Sequence, residues 1–174
     1  MKIYFAAHST TKDNETHLSS GWKDVELSEL GIKQSRELGE TFKNVTIDLI
    51  CCSDLKRAVD SVKIAFGDKI PTIIDNRLRE LNYGDFNGKD SKIVDGMKIE
   101  KIEESFPGGE SYNRAMGRTH EFYRELKDKY PDKIILIVGH RATQYGLDTL
   151  VGGKTIEECL SVPFKWQPYW EYNF

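Results

Sequence analysis

The sequence predicts an α/β protein, a three-layer α/β/α sandwich around a mainly parallel sheet, on three observations. Apolar runs at Ile3–Ala7, Ile47–Cys52 and Ile134–Val138 are nearly continuous in hydrophobicity, as strands covered on both faces require. Segments with helical spacing alternate with these runs, which is the pattern of a parallel sheet joined by crossover helices. The chain has 174 residues, 39% hydrophobic and 30% charged, enough for one domain with a substantial core.

Each element has its own signal. Ile3–Ala7 is the first strand. Leu30, Leu38 and Phe42 mark a helix with Ser28 as its N-cap. After the strand Ile47–Cys52, Leu55, Ala58, Val59, Val62 and Phe66 follow helical spacing. There Ser53 is placed to cap a helix whose first turn holds Arg57. Thr72–Ile74 is a short strand. A longer helical pattern runs from Tyr112 to Tyr130 and is ended by Pro131. Ile134–Val138 follows, and the aromatic segment Tyr169–Phe174 suits an edge strand. The glycine-rich stretch Asn82–Gly109, helical only around Met97–Glu104, reads as a lid-like insertion over the sheet within a single domain spanning residues 1–174.

Composition narrows the function. Lys and Arg total 25 against 28 Asp and Glu, a net charge of −3, so no basic field exists to hold nucleic acid or an anionic membrane. The longest apolar run is too short to span a bilayer, and Met1–Phe5 enters a strand without the pattern of a signal peptide. A cytoplasmic location is therefore expected, with Cys51, Cys52 and Cys159 reduced and mostly buried. The crowding of Trp166, Tyr169, Trp170 and Tyr172 suits a packed edge or a subunit contact, the latter allowing a homodimer.

Ligands of open α/β sheets bind beyond the carboxyl ends of the strands. His8 follows the first strand, His140 follows Ile134–Val138 after Gly139, and Arg57 lies just past a third strand end. One such histidine is usually structural; two, with an arginine, point to a site. His17, in a polar loop, and His120, in a charged helix, suit solvent-facing roles.

From Met1 to about Thr149 the chain resembles the histidine phosphatase superfamily, in its phosphoglycerate-mutase-like branch. The resemblance is carried by six segments in order: Ala7-His8-Ser9 with Asn14, Leu27-Ser28-Glu29-Leu30-Gly31-Ile32-Lys33-Gln34, Ser53-Asp54-Leu55-Lys56-Arg57-Ala58, Leu78-Arg79-Glu80 with Gly84 and Gly88, Pro107-Gly108-Gly109-Glu110-Ser111, and Val138-Gly139-His140. It implies a phosphomonoesterase acting on a small phosphorylated metabolite, with His8 as nucleophile and a phosphohistidine intermediate. It further implies that Glu80 is the proton donor and then the base, and that His140 and Arg57 bind the phosphoryl oxygens. Asn14, with Ser9, Thr11 and Arg141, completes the expected phosphate-binding set, and neither metal nor cofactor is required.

The chain departs from the family pattern in two places. The first histidine is ordinarily preceded by arginine, and here by Ala7; Ser9 and Thr10 replace the usual glycine and glutamate. Loss of a charge-assisted contact costs about 1.5–3 kcal/mol, or roughly one to two orders of magnitude in rate. The residue after the second histidine is ordinarily small, and here is Arg141. Two readings of Arg141 stand: a replacement phosphate ligand, or a solvent-facing arginine at a strand end. The alternatives to a phosphatase are a catalytically weak or inactive phospholigand-binding protein of the same fold, and a phosphoglycerate mutase.

Overall fold

The computed structural model describes residues 1–174. In chain order its elements are β1 (Lys2–Ala7), α1 (Lys12–Glu15), β2 (Leu18–Ser19), α2 (Glu29–Phe42), β3 (Leu49–Cys52), α3 (Lys56–Phe66), β4 (Thr72–Ile74), β5 (Lys89–Asp90), α4 (Ser91–Met97), α5 (Tyr112–Lys129), β6 (Ile134–Gly139), α6 (Arg141–Leu150), α7 (Ile156–Ser161) and β7 (Trp170–Asn173). The main sheet has the order β4-β3-β6-β1-β7. All its pairings are parallel except that of β7, which runs antiparallel along β1 as the edge strand.

Strand alternation splits the core into two faces. Ile3, Phe5, Cys51, Ile135 and Ile137 pack with Phe122 and Tyr123 of α5 and Leu147 of α6. Tyr4, Ala6, Ile50, Cys52, Leu136 and Val138 pack with Leu38 and Phe42 of α2 and Ala58, Val62 and Phe66 of α3. The result is the expected α/β/α sandwich. All three cysteines are free and buried. No helix is long and apolar enough to cross a membrane.

Ser28 caps α2 as expected, its hydroxyl accepting from the Gly31 N–H at 3.2 Å. Gly31 itself lies under the Thr10 carbonyl: a Cβ there would come within 2.0 Å of that oxygen, so the glycine lets α2 press against the loop after His8. Leu30, by contrast, is exposed. The second strand begins at Leu49 and not Ile47, where the Asp48 carboxylate turns to accept from the Ile134 N–H.

Within Asn82–Gly109 the helix starts earlier than expected, at Ser91 with Asp90 as cap, and stops at Met97. Only a 3₁₀ turn, Glu100–Ile102, follows. The stretch is anchored by β5 pairing with β2 and by a third apolar cluster, in which Leu81, Val94, Ile102 and Phe106 meet Tyr112 of α5 and Tyr145 of α6.

Candidate active site

The pairing of β1 with β6 sets Ala7 opposite Gly139, so the next residue of each strand, His8 and His140, leaves the sheet at the same level. The His8 N–H donates to the Gly139 carbonyl at 2.8 Å, and the two imidazole centroids are 5.0 Å apart.

His8 is held in one tautomer. Its Nδ1 lies 2.8 Å from the Ser9 carbonyl, which only accepts, so Nδ1 carries the proton and Nε2 the lone pair. Arg57 Nε donates to that Nε2 at 3.3 Å. Desolvation, and then the Arg57 charge, push the His8 pKa down to about 3, outweighing the Ser9 carbonyl, which acts the other way. The resting His8 imidazole is neutral.

Arg57 is itself buried, because the first turn of α3 presents it inward. Its Nη1 donates to the Lys23 carbonyl at 3.1 Å and its Nη2 to the Gly21 carbonyl at 2.8 Å. His140 is 1% exposed. Its Nε2 lies 2.6 Å from Ser53 Oγ, while its Nδ1 is buried without any hydrogen-bond partner. Burial first, and then the Arg57 charge, hold its pKa well below the usual histidine value. Ser53 therefore does not cap α3. The N-cap position falls to Leu55, which offers no side-chain bond, and the Ser53 hydroxyl sits against the imidazole of His140.

Glu80 reaches the N-terminus of α6. Its Oε1 accepts from the N–H of Leu81 at 2.8 Å and of Ala142 at 3.1 Å, and its Oε2 from the N–H of Arg141 at 3.2 Å. The Glu80 carbonyl accepts from Trp22 Nε1 and from Arg118 Nη2. Arg118 also donates to the carbonyls of Arg77 and Arg79 and pairs with Glu110. The sequence reading had no role for Arg118; a residue of α5 that gathers three carbonyls of one short segment has no sequence signature.

A cavity of about 480 Å³ collects Ala7, His8, Asn14, Glu80, His140 and Arg141 on its walls. Phe164 and Trp166, from the segment between α7 and β7, close one side. Asn14 is exposed and accepts from the Thr11 N–H through Oδ1, which turns its amide nitrogen outward for further bonding. Two expected ligands lie elsewhere. The Ser9 hydroxyl meets Ser35 Oγ at 2.8 Å, and its N–H donates to Ser61. Thr11 is fully buried, its hydroxyl capping α1.

Arg141 does not face solvent. It is half-buried in the cavity wall, its guanidinium between the rings of Tyr145 and Phe164 at 4.6 and 4.7 Å. His17 is exposed, as expected. His120 is instead half-buried, its Nε2 2.8 Å from Thr149 Oγ1.

The profile of the histidine phosphatase superfamily (branch 1) matches residues 3–160. A 2,3-bisphosphoglycerate-dependent phosphoglycerate mutase of Cytophaga hutchinsonii is 32% identical over 155 residues, which is 79% of this chain and 71% of the relative. Bacillus stearothermophilus YhfR superposes with a TM-score of 0.85 at 24% identity, covering 98% of this chain and 89% of its own. A mycobacterial glucosyl-3-phosphoglycerate phosphatase superposes with a TM-score of 0.78 at 26% identity, covering 93% and 84%. The paired histidines at neighbouring strand ends and the span of the profile match agree: this chain belongs to the histidine phosphatase superfamily, branch 1.

Proposed function

We propose that the protein is a phosphomonoesterase working through a phosphohistidine at His8. One observation carries the reading: a neutral imidazole, its Nδ1 proton fixed on the Ser9 carbonyl, turns its Nε2 lone pair toward a buried guanidinium in a cavity that also holds His140 and Glu80.

Nε2 attacks the phosphorus as the bond to the ester oxygen breaks, and Glu80, taking up a proton when the phosphate dianion binds beside it, gives that proton to the leaving alcohol. The Nδ1–H bond to Ser9 supports the positive charge that the ring then carries. Arg57 turns its Nε–H from Nε2 to a phosphoryl oxygen, with His140 and the Asn14 amide as further donors. In the second half, the Glu80 carboxylate takes a proton from water. The oxygen attacks phosphorus, the P–N bond breaks, and neutral His8 and protonated Glu80 return with free phosphate.

The test is phosphate release from a panel of monoesters, with His8→Ala as control and an acid-labile phosphoenzyme as the trapped species. Turnover unchanged by His8→Ala overturns the mechanism; phosphate binding without turnover of any ester assigns a binding protein. A second reading, a phosphoglycerate mutase, draws on the 32% identity to the Cytophaga relative. Isomerisation of 3-phosphoglycerate faster than phosphate release would favour it.

A further inference from the structure

Glu80, the proton donor of the proposed reaction, is held in part by a peptide group that is its own. The Leu81 N–H donates to Glu80 Oε1 at 2.8 Å, so the carboxylate folds back onto its main chain. The carbonyl of the same peptide accepts from Trp22 Nε1 at 2.7 Å and from Arg118 Nη2 at 3.0 Å, which occupies both of its lone pairs. A trans peptide is planar, with its C=O and N–H pointing opposite ways. Whatever fixes this carbonyl therefore also fixes where the Leu81 N–H points, and with it the carboxylate.

Both donors are themselves pinned. The Arg79 guanidinium stacks on the Trp22 ring at 4.6 Å and holds Asp54 through two bonds of 2.7 and 2.6 Å. On either side of Trp22, the carbonyls of Gly21 and Lys23 accept from Arg57, so the loop that carries the indole is tied to the phosphate-binding arginine. Arg118 pairs with Glu110 through bonds of 2.6 and 3.1 Å and donates to the carbonyls of Arg77 and Arg79 at 2.7 and 2.8 Å. Neither Trp22 nor Arg118 lines the cavity of His8, whereas Glu80 does. A proton donor displaced by about 1 Å loses up to about a hundredfold in rate, so bonds that hold its main chain reach the chemistry from outside the cavity.

We infer that Trp22 and Arg118 are positioning residues, which aim the Glu80 carboxyl at the departing oxygen by locking the peptide between Glu80 and Leu81. The inference rests on the phosphatase reading and adds to it two residues, one in the loop after β2 and one on α5.

The test uses two esters that differ in their need for an acid. The leaving group of p-nitrophenyl phosphate departs without a proton, whereas the alkoxide of glycerol 3-phosphate must be protonated as it leaves. The ratio kcat/KM covers the steps up to the phosphoenzyme, so it reads Glu80 as an acid and not as a base. Trp22→Phe removes the indole N–H and keeps an aromatic ring beneath Arg79. It should lower kcat/KM about tenfold on glycerol 3-phosphate and less than about twofold on p-nitrophenyl phosphate. Arg118→Met should show the same imbalance. When Glu80 is already changed to Gln, Trp22→Phe should cost nothing further. Equal losses on both esters, or an undiminished loss alongside Glu80→Gln, overturn the inference. If Arg118→Met fails to fold, Trp22→Phe decides alone. The Leu81 amide gives a readout that needs no turnover: its proton should exchange about tenfold faster in Trp22→Phe than in the wild type. An unchanged Leu81 amide overturns the inference even if no ester, p-nitrophenyl phosphate included, is hydrolysed, an outcome that would sink the phosphatase reading separately.

Discussion

Arg57 Nε donates to His8 Nε2 at 3.3 Å, so the cation expected to bind the phosphate also rests on the lone pair expected to attack it. The contact has two consequences. It adds to burial, the larger cause, in keeping His8 unprotonated, because a proton on Nε2 would face the guanidinium. It also keeps the lone pair aimed into the cavity until a phosphoryl oxygen draws the N–H away. Arg57→Ala should therefore raise the His8 pKa toward the ordinary 6.5 and lower kcat by about tenfold to a hundredfold. Titration of the His8 ring protons by NMR checks the first effect. An unmoved pKa would mean burial alone keeps His8 neutral.

The two depressed histidines also set how the fold answers acid. Both are neutral in the native state and bind a proton near pH 6.5 once unfolded. The unfolded chain then holds more protons, so stability falls as pH drops from about 6.5 toward 3, the window bounded below by His8. The steepest slope one such histidine adds is about 1.4 kcal/mol per pH unit. Urea unfolding of His140→Asn should show a shallower loss between pH 6.5 and 5 than the wild type. Parallel curves would remove His140 from the acid response.

Ser53 offers a sharper probe of the second histidine. It is fully buried, and its hydroxyl lies 2.6 Å from His140 Nε2. Ser53→Ala leaves that nitrogen buried without a partner, as Nδ1 already is, at a cost of about 1–3 kcal/mol. The expected result is a lower urea midpoint together with a reduced kcat, since the ring loses its orientation. A drop in stability with kcat intact would make Ser53 purely structural.

These residues also mark where the sequence was readable. His8 and His140 were legible at strand ends, and parallel pairing of neighbouring strands brings such ends together; that β1 and β6 are neighbours is given by the sheet order, which the buried character of β1, β3 and β6 leaves open. Ser28 was legible as a cap because its partner lies three residues away. Ser53 was only half legible by the same local logic: its hydroxyl accepts from the nearby Leu55 N–H at 3.3 Å, but its shorter contact is with His140, 87 residues distant. Ser9 and Thr11 look like free hydroxyls in a loop, yet Ser35 and the first turn of α1 consume them. Phe164 and Trp166 carry no period at all. Only the return of the chain into β7 brings them over the cavity.

The last prediction concerns the missing arginine itself. Ala7 is half-buried, lines the cavity of His8, and also borders a smaller cavity of about 150 Å³ beneath Trp166. Room therefore exists beside His8 for a longer side chain. Ala7→Arg adds a guanidinium beside the phosphoryl group that the proposed mechanism transfers. Ala7→Arg is expected to raise kcat/KM by about tenfold on every monoester alike, as one charge-assisted contact implies. If Ala7→Arg leaves rates unchanged, Arg57, His140 and Asn14 already suffice for the phosphoryl group. If it raises them, a double-mutant cycle with Arg141→Gln would measure whether positions 7 and 141 serve the same group.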